Sequence, residues 1–368
     1  MSFFATVELY KDFSFTDFFN MVDDLQIEKV LQKERLTPSD FLTLLSPTAA
    51  KYLEAMAKKA HQLTVQHFGR TIQLFIPLYI SNYCANQCAY CGFNRKNKII
   101  RRTLDLAEIE KEAQAIARTG MQHVLFLTGE AQQLTPMDYL LATTRCLKKY
   151  FASVAIEIYP LDVNDYAQLA QAGVDSMTLF QECYDQEVYK KVHLAGKKMD
   201  YHYRLNAPER AARAGLRSVN IGALLGLAEP HREFFFTAMH ARYLEDTFLT
   251  TEVSVSLPRF NECESDFTPD YLVDDKTFVQ FLTALRLFLP RVGITISTRE
   301  NAQFRDQLLP LGVTRYSAGS RTGVGGYADA AEESTPQFEI TDNRDVTEVA
   351  CAISRLGYQA VFKDWDFI

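Results

Sequence analysis

The sequence predicts an α/β protein built as a parallel (βα)8 barrel of the TIM type, with a helical layer before the barrel and a short extension after it. Three observations carry that prediction. From Thr71 onward, eight short β-rich apolar runs alternate with amphipathic helical stretches, the pattern of a parallel sheet closed on itself. Glycines at Gly120, Gly173, Gly215 and Gly312 stand just before strands, where helix C-termini or tight returns need them. A group of three cysteines follows directly on the first apolar run, at the end of a barrel strand, where functional residues collect.

Residues 1–69 read as an N-terminal helical segment, with helices over 14–68. Thr37-Pro38 and Ser46-Pro47 each place a capping hydroxyl before a proline at the first helical position. Tyr52, Leu53, Met56, Ala60 and Leu63 recur at helical spacing, so one face is buried. This layer is expected to close one end of the barrel. The barrel occupies 70–327, with strands expected at Thr71 to Ile80, His123 to Thr128, Val154 to Pro160, Ser176 to Gln181, Ser218 to Leu225, Glu252 to Leu257, Gly293 to Thr298 and Val313 to Ser317. Asp105 with Glu108 three residues on, and Thr135 before Pro136, mark helix starts between them. Residues 328–368 form a docked extension: polar and turn-rich from Ala331 to Asn343, helical from Asp345 to Leu356, and ending in Lys363-Asp-Trp-Asp-Phe-Ile368.

A chain of 368 residues buries roughly three quarters of its unfolded surface, so it needs no external scaffold. The formal charge of −7 and pI near 5.6 argue against a nucleic-acid surface, and the one basic run, Arg95 to Arg102, reads as a solvated loop. Three of the seven cysteines lie within eight residues and the others are scattered, which is no disulfide framework and fits a reducing cytoplasm. The N-terminus has no continuous apolar h-region, and no apolar run reaches the roughly 20 residues of a membrane span. A soluble cytoplasmic protein is expected.

The chemistry starts at Cys84-Ala-Asn-Gln-Cys88-Ala-Tyr-Cys91-Gly-Phe93. Three cysteines at this spacing can wrap three corners of a cubane iron–sulfur cluster, leaving the fourth iron open to a ligand, by the logic that separates catalytic from structural metal sites. A zinc knuckle would recruit a fourth Cys or His nearby, yet downstream the nearest are His123 and Cys146. The stretch resembles the signature of the radical S-adenosylmethionine (SAM) superfamily: CxxxC, any residue, an aromatic, Cys. That resemblance implies a [4Fe-4S] cluster on Cys84, Cys88 and Cys91, SAM chelated through its amino and carboxylate groups on the free iron, and Tyr90 against the adenine.

Period-two alternation shows which strand residues face the barrel interior. It turns Glu157 inward on strand three, Glu252, Ser254 and Ser256 on strand six, and Thr295, Ser297 and Arg299 on strand seven, with Arg299 at the top. Inward charges there need either a ligand or a structural ion pair across the barrel to offset their desolvation. Gln181-Glu182 ends strand four and is a further ligand candidate. Thr128-Gly129-Glu130, ending strand two, is similar to the GGE-type motif of radical SAM enzymes, which implies that it receives the SAM amino group. Arg204 is a candidate for the SAM carboxylate. The glycine-rich loop Ser317 to Tyr327, carrying Arg321, could cradle an anion with backbone N–H groups.

From about residue 40 to 366 the chain resembles the aromatic amino acid lyase branch of that superfamily, and within it the tyrosine lyases of thiamine thiazole synthesis. The stretches that carry this include IPLYISNYCANQCAYCGF, LTGEAQ, LFQECY, HLAGKKMDYHYRLNAPERAARAGL, SVSLPR, ISTRE, SAGSRTGVGGY and KDWD. The resemblance implies radical cleavage of the Cα–Cβ bond of L-tyrosine to 2-iminoacetate (dehydroglycine) and p-cresol, with SAM giving 5′-deoxyadenosine and methionine. It implies a thiazole synthase as protein partner and an electron donor such as flavodoxin or ferredoxin. Arg299 or Arg321 would hold the tyrosine carboxylate, with Ser254, Ser256 and Ser317 as orienting donors. The competing readings are the tyrosine lyase of hydrogenase maturation, which carries a second cluster where this tail offers only Cys351, a tryptophan lyase or deazaflavin-type synthase, and a non-catalytic electron carrier. A carrier holds its cubane with four cysteines.

Overall fold

The computed structural model describes residues 2–261, 263, 265–328 and 334–363. All eight expected strands are present: β1 (Thr71–Ser81), β2 (His123–Thr128), β3 (Ser153–Glu157), β4 (Ser176–Glu182), β5 (Ser218–Ala223), β6 (Glu252–Ser256), β7 (Gly293–Ile296) and β8 (Arg315–Ser317). Each pairs parallel with its neighbour, and β1 closes the barrel by pairing with both β2 and β8. β2 and β5 are buried almost end to end, because a parallel sheet covered by helices keeps both faces dry. Helix starts follow the local chemistry: Thr37 with Asp40 and Asp105 with Glu108 form reciprocal capping boxes. Thr135 is not a cap; the helix Met137–Leu147 takes Pro136 as its N-cap, without a side-chain bond, and the Thr135 hydroxyl donates instead to the Ala131 carbonyl.

The N-terminal helices lie differently from expectation. An additional short helix, Phe4–Leu9, precedes Phe15–Asn20, Asp24–Gln32, Pro38–Leu45 and Leu53–Phe68. Their contacts run to the flank of the barrel, against helices Pro230–Thr247 and Asp275–Phe288, rather than across one end. The reason is in those two helices, which are apolar over more than one face: Phe234, Phe235 and Phe236 are all buried, as is nearly every residue from Phe278 to Phe288. A helix apolar all round must be covered on its outer side too. Phe41 stacks on Phe288 with ring centroids 4.6 Å apart, and the Gln280 amide donates to the Leu44 and Ser46 carbonyls at 2.9 and 2.8 Å.

After β8 the chain turns back over the C-terminal mouth. Gln337 N–H donates to the Thr322 carbonyl at 3.0 Å and Thr341 N–H to that of Thr298 at 2.9 Å. Asp342 and Arg305, both fully buried, pair at 2.5 Å. The helix Val346–Arg355, capped by Asp345 with Glu348, then carries the chain to a ninth strand that the sequence did not reveal, β9 (Gln359–Val361), which pairs with Thr71–Gln73 at the start of β1. Part of the expected turn-rich stretch, Ala331 to Glu333, and most of the Lys363-to-Ile368 terminus lie outside the described residues.

The flank packing carries a pH dependence. His240 is buried under Phe3, stacked at 4.3 Å, and its Nδ1 lies 3.0 Å from the Tyr184 hydroxyl. Burial pushes its pKa down to about 3, so the native state holds the neutral ring while the unfolded chain protonates near 6.5. Between those values the unfolded state binds more protons, and stability falls as pH falls. In denaturant titrations the wild-type advantage over His240→Gln, which does not titrate, should shrink steadily from pH 6.5 downward; a constant difference would show that His240 protonates without cost.

Candidate active site

The Cys84–Cys91 loop leaves the top of β1 and makes few hydrogen bonds to itself. It borrows them from two other loops. Ala85 N–H donates to the Glu130 carbonyl at 3.1 Å, Gln87 N–H to that of Ala195 at 2.9 Å, Leu194 N–H to that of Gln87 at 2.8 Å, and Ala89 N–H to that of Val192 at 2.9 Å. The approach is so close that side chains are excluded. A Cβ on Gly129 would sit 2.2 Å from the Tyr83 carbonyl oxygen, and one on Gly196 2.1 Å from Asn86 Oδ1. The basic run is not a solvated loop throughout: Arg101 donates to the carbonyls of Asn82 at 2.7 Å, Phe93 at 3.2 Å and Asn94 at 2.7 Å, pinning both ends of the cysteine loop.

The thiols of Cys84, Cys88 and Cys91 are free, Cys88 buried and the other two partly buried. Burial pushes all three upward, Cys91 to about 11; Glu130 raises Cys84 further, and neighbouring thiols raise Cys88 and Cys91. Such a trio ionises only if something positive binds it, and a metal centre deprotonates its thiols outright. Three thiolates carried on one loop suit the separate corners of a cluster. Cys263 also reaches the loop, but its thiol donates to the Tyr90 carbonyl at 3.3 Å. The residues present fit a three-cysteine iron–sulfur cluster.

Beside the loop sits a buried set of charges. Glu130 accepts from Asn86 Nδ2 at 2.7 Å and from Arg204 at 2.8 Å, and the arginine and Lys198 hold its carboxyl below the usual range against desolvation. Arg204 also donates to the Phe180 carbonyl at 2.7 Å and lies 3.6 Å from Glu182, which pairs with Lys198 at 2.8 Å. Arg204 is therefore committed to protein partners rather than to a ligand carboxylate. Glu182 reaches this position through a left-handed backbone, φ 70°. Tyr90 is buried, its hydroxyl 2.8 Å from His193 Nε2. His193 is driven down to about 2 by burial and then by Lys198 and Arg204. It is neutral, giving Nδ1–H to the Tyr189 carbonyl at 2.9 Å and accepting from Tyr90.

These groups border a cavity of about 150 Å³ at the barrel mouth, lined by Tyr90, Cys91, Glu157, Glu182, Lys198, Ser256, Arg299 and Ser317 among others. Glu157 and Arg299 both face it, yet no ion pair joins them among the described residues. Burial, then Glu182, pushes the Glu157 carboxyl up to about 7. The Arg299 guanidinium lies 3.4 Å over the Phe338 ring and burial lowers its pKa. Tyr79 donates to Gln337 Oε1 at 2.7 Å, and the Gln337 amide approaches Cys91 Sγ at 3.9 Å.

Three expected residues stand elsewhere. Arg321 is exposed and lies over the Tyr327 ring at 5.6 Å, outside the cavity. The glycine-rich loop does cradle an anion, but the anion is the chain's own Glu112, which accepts from the N–H groups of Gly326, Tyr327 and Ala328 at 3.2, 2.7 and 3.4 Å. Gln181 is buried without a hydrogen-bond partner among the described residues and does not line the cavity; strand alternation turns Thr178, Phe180 and Glu182 inward and Gln181 out. Ser254 lies behind the lining, donating to Asn220 Oδ1 at 3.0 Å. Thr128, at the end of β2, has its hydroxyl buried without a hydrogen-bond partner among the described residues. Sequence reasoning missed Tyr79, Asn86, His193, Lys198, Asn220, Gln337 and Phe338 as site residues; Tyr79 and Asn86 fall in IPLYISNYCANQCAYCGF and His193 and Lys198 in HLAGKKMD, and the others carry no local signal.

The glycine contact is directly testable. Gly129→Ala should leave the barrel folded by circular dichroism but displace the cysteine loop, so that reconstitution yields clearly less iron and sulfide per chain than wild type. Full loading of the variant would show that the loop tolerates the shift.

Comparison with known proteins agrees with this geometry. Residues 78–238 match the model of the radical SAM superfamily, and residues 256–359 that of the biotin and thiamin synthesis associated domain. The chain is 41% identical to 2-iminoacetate synthase of Escherichia coli over 92% of this chain and 90% of that protein, and 40% identical to that of Salmonella typhimurium over the same shares. Among solved structures, the FeFe-hydrogenase maturase HydG from Carboxydothermus hydrogenoformans superposes with a TM-score of 0.90 at 33% identity, covering 98% of this chain and 85% of that one. With a three-thiol loop, a cavity beside it and that extent of identity, the chain belongs to the 2-iminoacetate synthase family of radical SAM enzymes.

Proposed function

We infer that this chain is a carbon–carbon lyase that cleaves L-tyrosine between Cα and Cβ to give 2-iminoacetate and p-cresol, for thiamine thiazole synthesis. The observation that carries the reading, beside family membership, is Arg299: a cation facing an enclosed cavity next to the cysteine loop, with no hydrogen bond or ion pair from its guanidinium among the described residues. A buried cation without a counter-ion is costly, and a substrate carboxylate supplies one.

Cys84, Cys88 and Cys91 would hold a [4Fe-4S] cluster, with SAM on its open iron. When bound, that pair supplies the carbon-centred radical that takes a hydrogen atom from the substrate amine. The chain's own residues do the rest. Tyr90, fixed by His193, presents an aromatic face beside the cluster loop. Thr128, Glu130 and Glu182 offer acceptors for an ammonium group, and Glu157 offers hydrogen bonds to a polar ligand; Arg204 and Lys198 hold the Glu130 carboxyl below its usual range. Ser256 and Ser317 orient the substrate. The enclosing barrel and the Gln337–Phe338 segment exclude water from a radical and a hydrolysable imine. Arg299 takes the role that the sequence left open between it and Arg321. Thiazole synthase as the acceptor of the imine, flavodoxin or ferredoxin as electron donor, and a cytoplasmic setting complete the proposal, the last supported by seven free cysteines and by the lack of any described helix long and apolar enough to cross a membrane.

The first test is an anaerobic assay of the reconstituted protein with SAM, tyrosine and dithionite. 5′-Deoxyadenosine, p-cresol and glyoxylate from hydrolysed imine should appear together; 5′-deoxyadenosine without p-cresol would point to another aromatic substrate. An arginine–carboxylate contact contributes about 1.5–3 kcal/mol, so Arg299→Ala should weaken tyrosine binding roughly 10- to 100-fold. Arg299→Lys should recover only part of this, and Arg321→Ala none of the loss. Unchanged tyrosine affinity in Arg299→Ala would remove that residue from the site.

A further inference from the structure

The lower part of the cavity is polar, where a (βα)8 barrel is ordinarily filled by branched apolar side chains. Thr178 of β4, Asn220 of β5, Ser256 of β6 and Thr295 of β7 line it from four successive strands. Their register fixes the grouping: Thr178 pairs with Asn220 and Ser256 with Thr295. Asn220 orders the set. Its Nδ2 donates to Ser256 Oγ at 2.9 Å and Thr178 Oγ1 at 3.3 Å, while its Oδ1 accepts from Ser254. Thr178 and Ser256, each accepting from the amide, keep their own O–H protons to give.

Thr295 differs from these. It is only 6% exposed, yet its hydroxyl has no hydrogen-bond partner among the described residues. A buried hydroxyl left alone is unfavourable, and the residue that carries this one lines the cavity. Among the described residues no carboxylate hydrogen-bonds to these floor hydroxyls. The floor is therefore suited to a neutral oxygen that both accepts and donates, which is what a phenol presents.

Position supports the same occupant. Thr295 and Arg299 are four residues apart along β7 and its continuation, at most about 13 Å at 3.3 Å per residue. A cation above and hydroxyls below thus bracket a single amino acid, with Leu125, Leu127 and Phe180 as apolar walls between. We propose that Thr295, with Thr178 and Ser256, forms the phenol-binding floor of the substrate site, and that Thr295 is the residue that separates tyrosine from phenylalanine. This rests on the tyrosine reading above.

The test is calorimetric titration of tyrosine and of phenylalanine into the cluster-loaded, SAM-bound protein under anaerobic conditions. A site built to hydrogen-bond a substrate hydroxyl rejects the analogue lacking it. Wild type should therefore prefer tyrosine, Thr295→Val should bind tyrosine about tenfold more weakly with phenylalanine unchanged or tighter, and Thr295→Ser should restore the preference. Iron content equal to wild type confirms that the variants carry an intact site. A tyrosine preference retained in Thr295→Val, or equal losses for both ligands in Thr295→Val and Thr295→Ser alike, overturns the floor while leaving the lyase reading standing. A wild-type protein without any preference for tyrosine overturns the tyrosine reading and the floor with it.

Discussion

The functional end of this barrel depends on one close approach: the cysteine loop pressed against the segment after β2 and against residues 192–196. Buried backbone groups must find partners, and a loop whose thiols face a cluster cannot satisfy them by coiling into a helix. The loop is instead hydrogen-bonded through Ala85 to Glu130 and through Gln87 and Ala89 to residues 192–195. Two glycines make this possible. Gly129 leaves space for the Tyr83 carbonyl, and Gly196, at φ +96°, turns under Asn86. The same approach brings Glu130, Lys198, Arg204 and His193 to the thiols, so the charges around the site are a consequence of the packing that holds the loop.

Those charges are unequally balanced, and the imbalance bears on ligand choice. Glu130, Glu182, Lys198 and Arg204 compensate one another through contacts of 2.8 to 3.6 Å. Among the described residues, Arg299 has the face of Phe338 and, farther off, Tyr79, the carboxylates of Glu182 and Glu157, and Cys91. A closed set of two cations and two carboxylates gains little from an added charge of either sign. An uncompensated guanidinium gains much from a carboxylate, and more so when water is excluded. The cavity is thus biased towards an anionic group at Arg299 and hydrogen-bonding groups elsewhere.

Much of this was legible because barrel strands alternate strictly. The inward placement of Glu157, Ser256, Thr295 and Arg299 follows from period two alone. The same count would have turned Gln181 outward had it been applied to β4. The remainder depends on contacts between distant segments. Arg321 was plausible in a glycine-rich loop because nothing in that loop reveals Glu112, more than 200 positions earlier, as its anion. The helical layer was legible as helices, but its place on the flank is set by the outward apolar faces of Pro230–Thr247 and Asp275–Phe288. β9 is three residues long, too short for any periodicity to show.

The two matched spans divide the cavity in a way that makes physical sense. Residues 78–238 contribute the cysteine loop, Glu130, Glu157, Glu182, Lys198 and Arg204, the groups proposed here to serve the cluster and SAM. Residues 256–359 contribute Ser256, Thr295, Arg299, Ser317, Gln337 and Phe338, most of the groups proposed to serve the substrate, while Thr178 and Asn220 reach its floor from the first span. That second span crosses the boundary drawn from sequence after Tyr327, and the bonding runs across it too. Thr341 donates to the Arg299 carbonyl at 2.7 Å, Phe338 lies on the Arg299 guanidinium, and Asp342 is buried against Arg305 from the helix after β7. The tail is better regarded as part of the substrate half than as an appendage: without it the loop carrying Arg299 would lose both the ring that desolvates its cation and the hydroxyl that fixes its backbone.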